Sequence, residues 1–249
     1  MSLFDFFKKR KPQIIGDTCP YCSKKLEKIP KRKSKCPFCR KTIYIETRFK
    51  TKNKILVTEK EAEQTEKEWH DHYFYSGLCS ELNDPEGLKN MRIILRKRFG
   101  REPSENDVIW GVLNQHLIRD ARNWNWGLYS NTRYTMAKLI REEKKLEQSL
   151  SIYLEVCYID LNGPNNIGRP ENDPELLEQF PSFDLKTGFI APGIIYEVKE
   201  LMLKLNLRLK DVKKIFIKQN IQVQKGLGLP LSPKECWTKI KENINYSKP

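Results

Sequence analysis

Apolar positions along this chain alternate over one short stretch and recur at helical spacing almost everywhere after it. Thr42-Ile43-Tyr44-Ile45-Glu46-Thr47-Arg48-Phe49 reads as a strand, its β-branched and aromatic residues spaced by two. From Thr58 onward the period becomes that of a helix. Thr58 and Glu61 have the spacing of a capping box and open a charged helix predicted to run to about Ser76. Its few apolar positions, Ala62, Trp69 and Tyr73, suit a connector between two modules. Asp84, with Pro85 in the first turn, caps a second helix whose stripe is Leu88, Met91, Ile94, Leu95 and Phe99, and Gly100 supplies the stop. Ser104 with Asp107 begins a third, carrying Val108, Ile109, Val112, Leu113 and Leu117 on one face. Starts and stops at this spacing imply antiparallel helices joined by short loops. Residues 162–192, rich in Asn, Pro and Gly, form a long connection with one short helix near 174–180. Ile194, Ile195, Val198, Leu201, Met202 and Leu205 then make an apolar face, and Leu209, Val212, Ile215 and Phe216 repeat it with Lys210, Lys213, Lys214 and Lys218 outside. Residues 226–230 break the pattern, and Ser232-Pro233-Lys234-Glu235 starts a last helix. The fold class this predicts is a small β module followed by a mainly α domain of antiparallel helices.

The β module has a chemical reason to exist. Cys19-Pro20-Tyr21-Cys22 and Cys36-Pro37-Phe38-Cys39 are two Cys-x-x-Cys loops whose inner cysteines are 14 positions apart, room for one return hairpin. Four thiolates at this spacing satisfy a tetrahedral Zn²⁺ and leave no open coordination position, which points to a structural ion. Such a site supplies on the order of 10–16 kcal/mol at neutral pH, replacing a core that so short a segment cannot build. The competing reading is redox, since Cys-Pro-Tyr-Cys alone also matches a glutaredoxin-type active site. That reading needs a long amphipathic helix after Cys22, whereas the sequence continues Ser23-Lys24-Lys25-Leu26-Glu27-Lys28-Ile29-Pro30. The segment resembles a zinc ribbon over about residues 17–48, and the resemblance implies one structural zinc held by Cys19, Cys22, Cys36 and Cys39.

Charge adds a direction. The chain carries 46 Lys and Arg against 32 Asp and Glu, a net of +14; residues 1–60 alone hold 18 basic and 5 acidic side chains, so nearly all the excess lies around the cysteines. A surface of this kind suits a polyanion, because each neutralised phosphate releases counterions. Lys31, Arg32, Lys33 and Lys35 fall between the two cysteine pairs, with Arg40 and Lys41 just after, and Tyr21 and Phe38 sit where an exposed ring can stack on a base. The alternative is that both rings pack across the ribbon and the lysines keep it soluble. No run of about 18 apolar residues is present, so no transmembrane helix is expected. Leu3, Phe4, Phe6 and Phe7 precede a basic run, the reverse of a secretory signal; they suit a segment docked on its own protein or a short membrane-touching patch. Cys79, Cys157 and Cys236 are widely spaced in apolar settings and read as reduced core residues of a cytoplasmic protein.

Residues 134–164 carry a second resemblance. Ala137 and Ser149 are small where two helices would cross closely, and Met136, Ile140, Leu146, Tyr153 and Val156 are large where they would fill the gap. The stretch 131–164 looks like a single tetratricopeptide unit, with Lys144 where glycine is usual and Leu161 where proline is usual. Since such repeats need about three copies to stabilise a solenoid, this one is expected inside an irregular helical domain. It implies either a well-packed hairpin or a concavity for a protein partner.

Catalytic signals are sparse. His70, His72 and His116 are the three histidines, and Trp69-His70-Asp71-His72 is the one ligand-like cluster. Positions two apart on a helix diverge, so a mixed site would need His116 to approach with Asp71 or Asp120. Nucleophile-elbow, His-Glu-x-x-His, kinase and P-loop signatures are all missing from the sequence. The expected organisation is a basic segment over 1–16, a zinc ribbon over 17–50, a connector helix over 51–80 and a helical domain over 81–249. The layout resembles uncharacterised zinc-ribbon proteins of AT-rich bacteria and their phages. The expected function is a non-enzymatic adaptor holding nucleic acid through the ribbon and protein through the helices. The alternatives are a protein-only scaffold and a hydrolase or nuclease accessory using His70, His72 and His116.

Overall fold

The computed structural model of this protein describes residues 14–166, 168, 175 and 179–246. The apolar and basic run before Ile14 lies outside that set, as does most of the short helix predicted near 174–180. Four strands and eight helices occur among the described residues, and the chain divides after Glu81 into two compact units.

The first unit is a small sheet with one long helix. Strands β1 (Ile14–Ile15), β2 (Ser34–Lys35), β3 (Thr42–Thr47) and β4 (Lys54–Val57) lie in the order β1-β4-β3-β2. β1 runs parallel to β4, and the other two pairings are antiparallel, with Tyr44 opposite Val57 and Glu46 opposite Ile55. The predicted strand therefore exists but stops before Arg48, whose N–H and carbonyl close a turn onto Asn53 and Lys52 at 2.9 Å each. Lys52 takes a left-handed φ of +58° in that turn. β4 occupies the start of the stretch read as a connector; its three apolar residues, Ile55, Leu56 and Val57, are too few to display a period.

Helix α1 (Glu59–Leu82) opens on the predicted capping box: the Thr58 N–H donates to Glu61 Oε2 at 2.8 Å, and the Glu61 N–H donates to Thr58 Oγ1 at 3.3 Å. It continues beyond Ser76, through Gly77, because Leu78 is buried. It is tied to the sheet despite its charge. The Trp69 Nε1–H donates to the Thr47 carbonyl at 2.7 Å, and Tyr44 donates to Glu59 Oε1 at 2.6 Å. Trp69 also meets Phe49 edge-on with centroids 5.2 Å apart.

The second unit holds α2 (Pro85–Phe99), α3 (Glu105–Arg122), α4 (Trp126–Glu142), α5 (Leu146–Leu161), α6 (Pro192–Lys204), α7 (Leu209–Leu227) and α8 (Pro233–Tyr246). Local signals set its boundaries. Asp84 Oδ1 accepts the Gly87 N–H at 2.8 Å and Gly100 ends α2 in the left-handed region. Ser104 and Asp107 form a complete capping box, and Ser232 and Glu235 repeat that pairing at α8. Four turns use a non-glycine residue at positive φ, namely Asn83, Trp124, Lys144 and Asn206.

α4 and α5 make an antiparallel hairpin stitched at three levels. The Ser149 hydroxyl donates to the Ala137 carbonyl at 2.9 Å, Arg133 Nε donates to Glu155 Oε1 at 2.8 Å, and Ser130 Oγ donates to Asp160 Oδ1 at 2.6 Å. Ala137 and Ser149 are both fully buried, so the two backbones approach closely at their small side chains. α5 is the centre of the unit. Leu150, Tyr153, Leu154, Cys157 and Tyr158 pack with Val198 and Leu201 of α6, Val212 and Phe216 of α7, and Trp237 and Ile240 of α8. A smaller cluster, Met91 and Leu95 against Val108 and Val112, joins α2 to α3. Here the predicted stripe is narrower than expected: Ile94 and Phe99 are 51% and 40% exposed, because the packing of α2 on α3 reaches only the Met91 and Leu95 side of the helix. The connection after α5 is pinned back on itself, Gly163 accepting the Asp184 N–H at 2.8 Å. Cys157 and Cys236 are buried free thiols, as expected, and Cys79 is half-buried.

Candidate metal centre

The four cysteines predicted as ligands converge. Each offers its sulfur within a group whose atoms all lie within 4.8 Å of one another, and the close pairs run between the loops: Cys19 to Cys39 at 3.8 Å and Cys22 to Cys36 at 3.9 Å. These separations are far from the ~2.05 Å of a disulfide. They match the edges, about 3.8 Å, of a tetrahedron with metal–sulfur bonds near 2.3 Å. The donor set is sulfur alone, and it can hold a metal ion.

Both loops fold alike because they carry the same pattern. Cys19-Pro20-Tyr21-Cys22-Ser23-Lys24 and Cys36-Pro37-Phe38-Cys39-Arg40-Lys41 each place cysteine, proline, an aromatic ring, cysteine and lysine in register. In the first, Cys19 O accepts the Ser23 N–H and the Cys19 N–H donates to Lys24 O, both at 2.9 Å; in the second, Cys36 O accepts the Arg40 N–H at 3.0 Å and the Cys36 N–H donates to Lys41 O at 2.9 Å. Ser23 and Arg40 share a left-handed φ of +57° and +56°. The leading sulfurs, Cys19 and Cys36, each accept a backbone N–H at 3.4 Å, from Tyr21 and Phe38. Such bonds stabilise a thiolate without adding charge.

The thiols do not ionise independently. For Cys36, burial opposes ionisation but is outweighed by the N–H groups of Cys39 and Phe38 and by the Cys19 and Cys39 thiols, which bring it down to about 6. For Cys22, the Lys24 N–H favours the thiolate, but burial and the three other sulfurs prevail and push it up to about 11. Four negative charges this close repel strongly, so a cation among them is what allows all four to be thiolates. Beneath the sulfurs the apolar support is slight, chiefly Leu26 and Ile43 with Leu56.

Of the side chains predicted to meet phosphate, Lys31, Arg32, Lys33, Lys35, Arg40 and Lys41 are all exposed. Lys33 lies over the Tyr44 ring at 4.3 Å, and its hydrogen bond to Tyr44 holds its ammonium above the ordinary lysine range. The two rings differ. Tyr21 is half-buried and its hydroxyl accepts the Glu59 N–H at 2.9 Å, the first residue of α1. Phe38 is 48% exposed. Lys24 joins this surface although charge runs do not single it out; the repeated six-residue pattern is the signal that finds it. Its ammonium lies 5.1 Å from the Phe38 ring centre, while Lys41 lies 5.1 Å from that of Tyr21.

The histidines have local partners. His72 packs on Phe49 with centroids 4.2 Å apart, and His70 stacks on Phe74 at 6.2 Å. His116 Nε2 is 2.8 Å from Asp84 Oδ2, the carboxylate that caps α2. That hydrogen bond, with the Gly87 N–H behind it, holds the Asp84 carboxyl below its usual range.

In the helical unit two cavities of about 750 and 680 Å³ share Trp110, Ile140 and Gln148 in their walls. Comparison with protein-family models, curated proteins and solved structures finds no match to this chain.

Proposed function

We propose that this protein is a non-enzymatic adaptor. Cys19, Cys22, Cys36 and Cys39 hold one structural Zn²⁺ in a zinc-ribbon module, whose basic surface binds nucleic acid. The observation that carries the reading is the set of four sulfurs at tetrahedral spacing, with exposed Lys31, Arg32, Lys33, Lys35, Arg40 and Lys41 close to them in sequence. Zinc fits the all-sulfur donor set, and a closed Cys₄ site is structural. The helical unit takes a protein partner in this proposal, through the adjoining cavities that Trp110, Ile140 and Gln148 share. The α4–α5 hairpin, with its close Ala137–Ser149 crossing, supports a tetratricopeptide-like element within that unit.

The test is an electrophoretic titration of the full chain against single- and double-stranded DNA and RNA at two salt concentrations, with zinc per chain measured on the same samples. One zinc per chain is expected, and a salt slope of about −0.9 per neutralised phosphate on duplex DNA. Replacing Lys31, Arg32 and Lys35 together by glutamine lowers the slope by roughly 3 × 0.9 if all three meet phosphate. Absence of binding at low salt rejects the nucleic-acid reading and favours the protein-only scaffold.

A further inference from the structure

The two cysteine loops are structural twins, and each sends a lysine over the other's aromatic ring: Lys24 to Phe38 and Lys41 to Tyr21, both at 5.1 Å. The twin positions are then used differently. Tyr21 is occupied by its own chain, its ring half-buried beside Cys19, Leu26, Cys36 and Ile43 and its hydroxyl accepting the Glu59 N–H. Phe38 has no hydroxyl for such a bond and keeps 48% of its surface exposed. Around it in sequence stand the exposed cations Arg40 and Lys41, with Lys24 beside the ring itself.

We propose that Phe38 and Lys24 form a stacking site for an unpaired base of single-stranded nucleic acid, the base lying on the ring and Lys24 reaching the backbone phosphate; this rests on the nucleic-acid reading above. The chemistry follows from what each form of nucleic acid can offer. A duplex interior presents base edges and phosphates, its faces being covered by neighbouring bases, whereas a single strand can turn a face to a protein ring. An apolar partner would match the ring but leave the three cations without counterions. A polyanion with aromatic faces matches both. Tyr21 is excluded from this role because its hydroxyl and ring are already engaged by α1 and the small core.

Fluorescence anisotropy with the zinc-loaded full chain tests the site, using a labelled oligothymidylate, an oligouridylate and a DNA duplex of equal length. Phe38→Ala is expected to weaken binding of both single strands by roughly 5- to 150-fold, the range for loss of one stacked base, and to leave duplex binding nearly unchanged. Phe38→Trp is expected to restore it. Lys24→Gln is expected to reduce the single-strand salt slope by about 0.7. Tyr196→Ala, at an exposed ring of the helical unit, is expected to change nothing. Wild-type affinity of Phe38→Ala for single strands overturns the proposal, as does equal loss on single strand and duplex; in both cases the nucleic-acid reading survives. If the wild-type protein binds neither form at low salt, that broader reading falls with it.

Discussion

At the scale of single residues, two positions show how the surroundings set the cost of a small change. Gly163 has φ of +65°, and a methyl group there would overlap the Asp184 carbonyl; Gly228 has the same φ but open space around it. Left-handed backbone costs a non-glycine residue about 1–2 kcal/mol, and an overlap with fixed main chain adds a similar amount. Gly163→Ala is therefore expected to destabilise the helical unit by about 2–4 kcal/mol and Gly228→Ala by about 1 kcal/mol, compared by urea denaturation midpoints. Asp160 provides a pH signature. Burial raises its carboxyl to about 6, against the opposing hydrogen bond from Ser130. The folded state thus holds this proton more tightly than the unfolded chain does. Its contribution to stability is complete below about pH 4 and is lost as pH rises through 6, in total about 3 kcal/mol. Asp160→Asn is expected to remove that loss, so the stability of the variant relative to wild type should rise between pH 4 and 7.5. A constant difference across that range would show that Asp160 stays ionised in the folded state.

At the scale of elements, caps were legible and lengths less so. Thr58, Asp84, Ser104 and Ser232 act on N–H groups within three residues, so a short window of sequence contains the whole interaction. The end of α1 was not legible in this way. Gly77 looks like a stop, but the helix passes it and carries Leu78 into a buried position, 1% exposed. The charged character of α1 suits a connector between two modules, and Trp69, Glu59 and Tyr44 also fasten it to the sheet. Trp69→Phe keeps most of the ring and removes the bond to Thr47. A loss of about 1 kcal/mol is expected, seen as faster amide hydrogen exchange along α1. Unchanged exchange there would mean that ring packing against Phe49 alone secures the helix.

At the scale of the whole molecule, the two units differ in the kind of core they hold. The helical unit buries an extensive apolar cluster centred on α5; the N-terminal unit has a few apolar residues under four sulfurs. If the four sulfurs hold the proposed structural ion, its removal should unfold one unit and spare the other. Chelation, or Cys36→Ser, is expected to collapse the amide spectrum of residues 17–48 while the helical far-ultraviolet signal is largely retained. Intact amide signals around the cysteines in the metal-free protein would count decisively against a structural ion.

The features readable from the chain alone are those that nearby residues settle among themselves. The spacing of two cysteine pairs, the cap residues, the helical periods of α3, α6 and α7, and the small residues at 137 and 149 all express interactions within a turn or a hairpin. Features that depend on distant partners emerge in the folded chain. It paired β4 with β1 and β3, left Ile94 and Phe99 outside the α2–α3 contact, and set His116 against Asp84. It also broke the equivalence of two nearly identical loops. Tyr21 and Phe38 occupy matching places in the same pattern, yet Tyr21 packs on the small core and its hydroxyl accepts the Glu59 N–H, whereas Phe38 stays 48% exposed. That contact joins residues 38 positions apart, a separation over which no local pattern carries information.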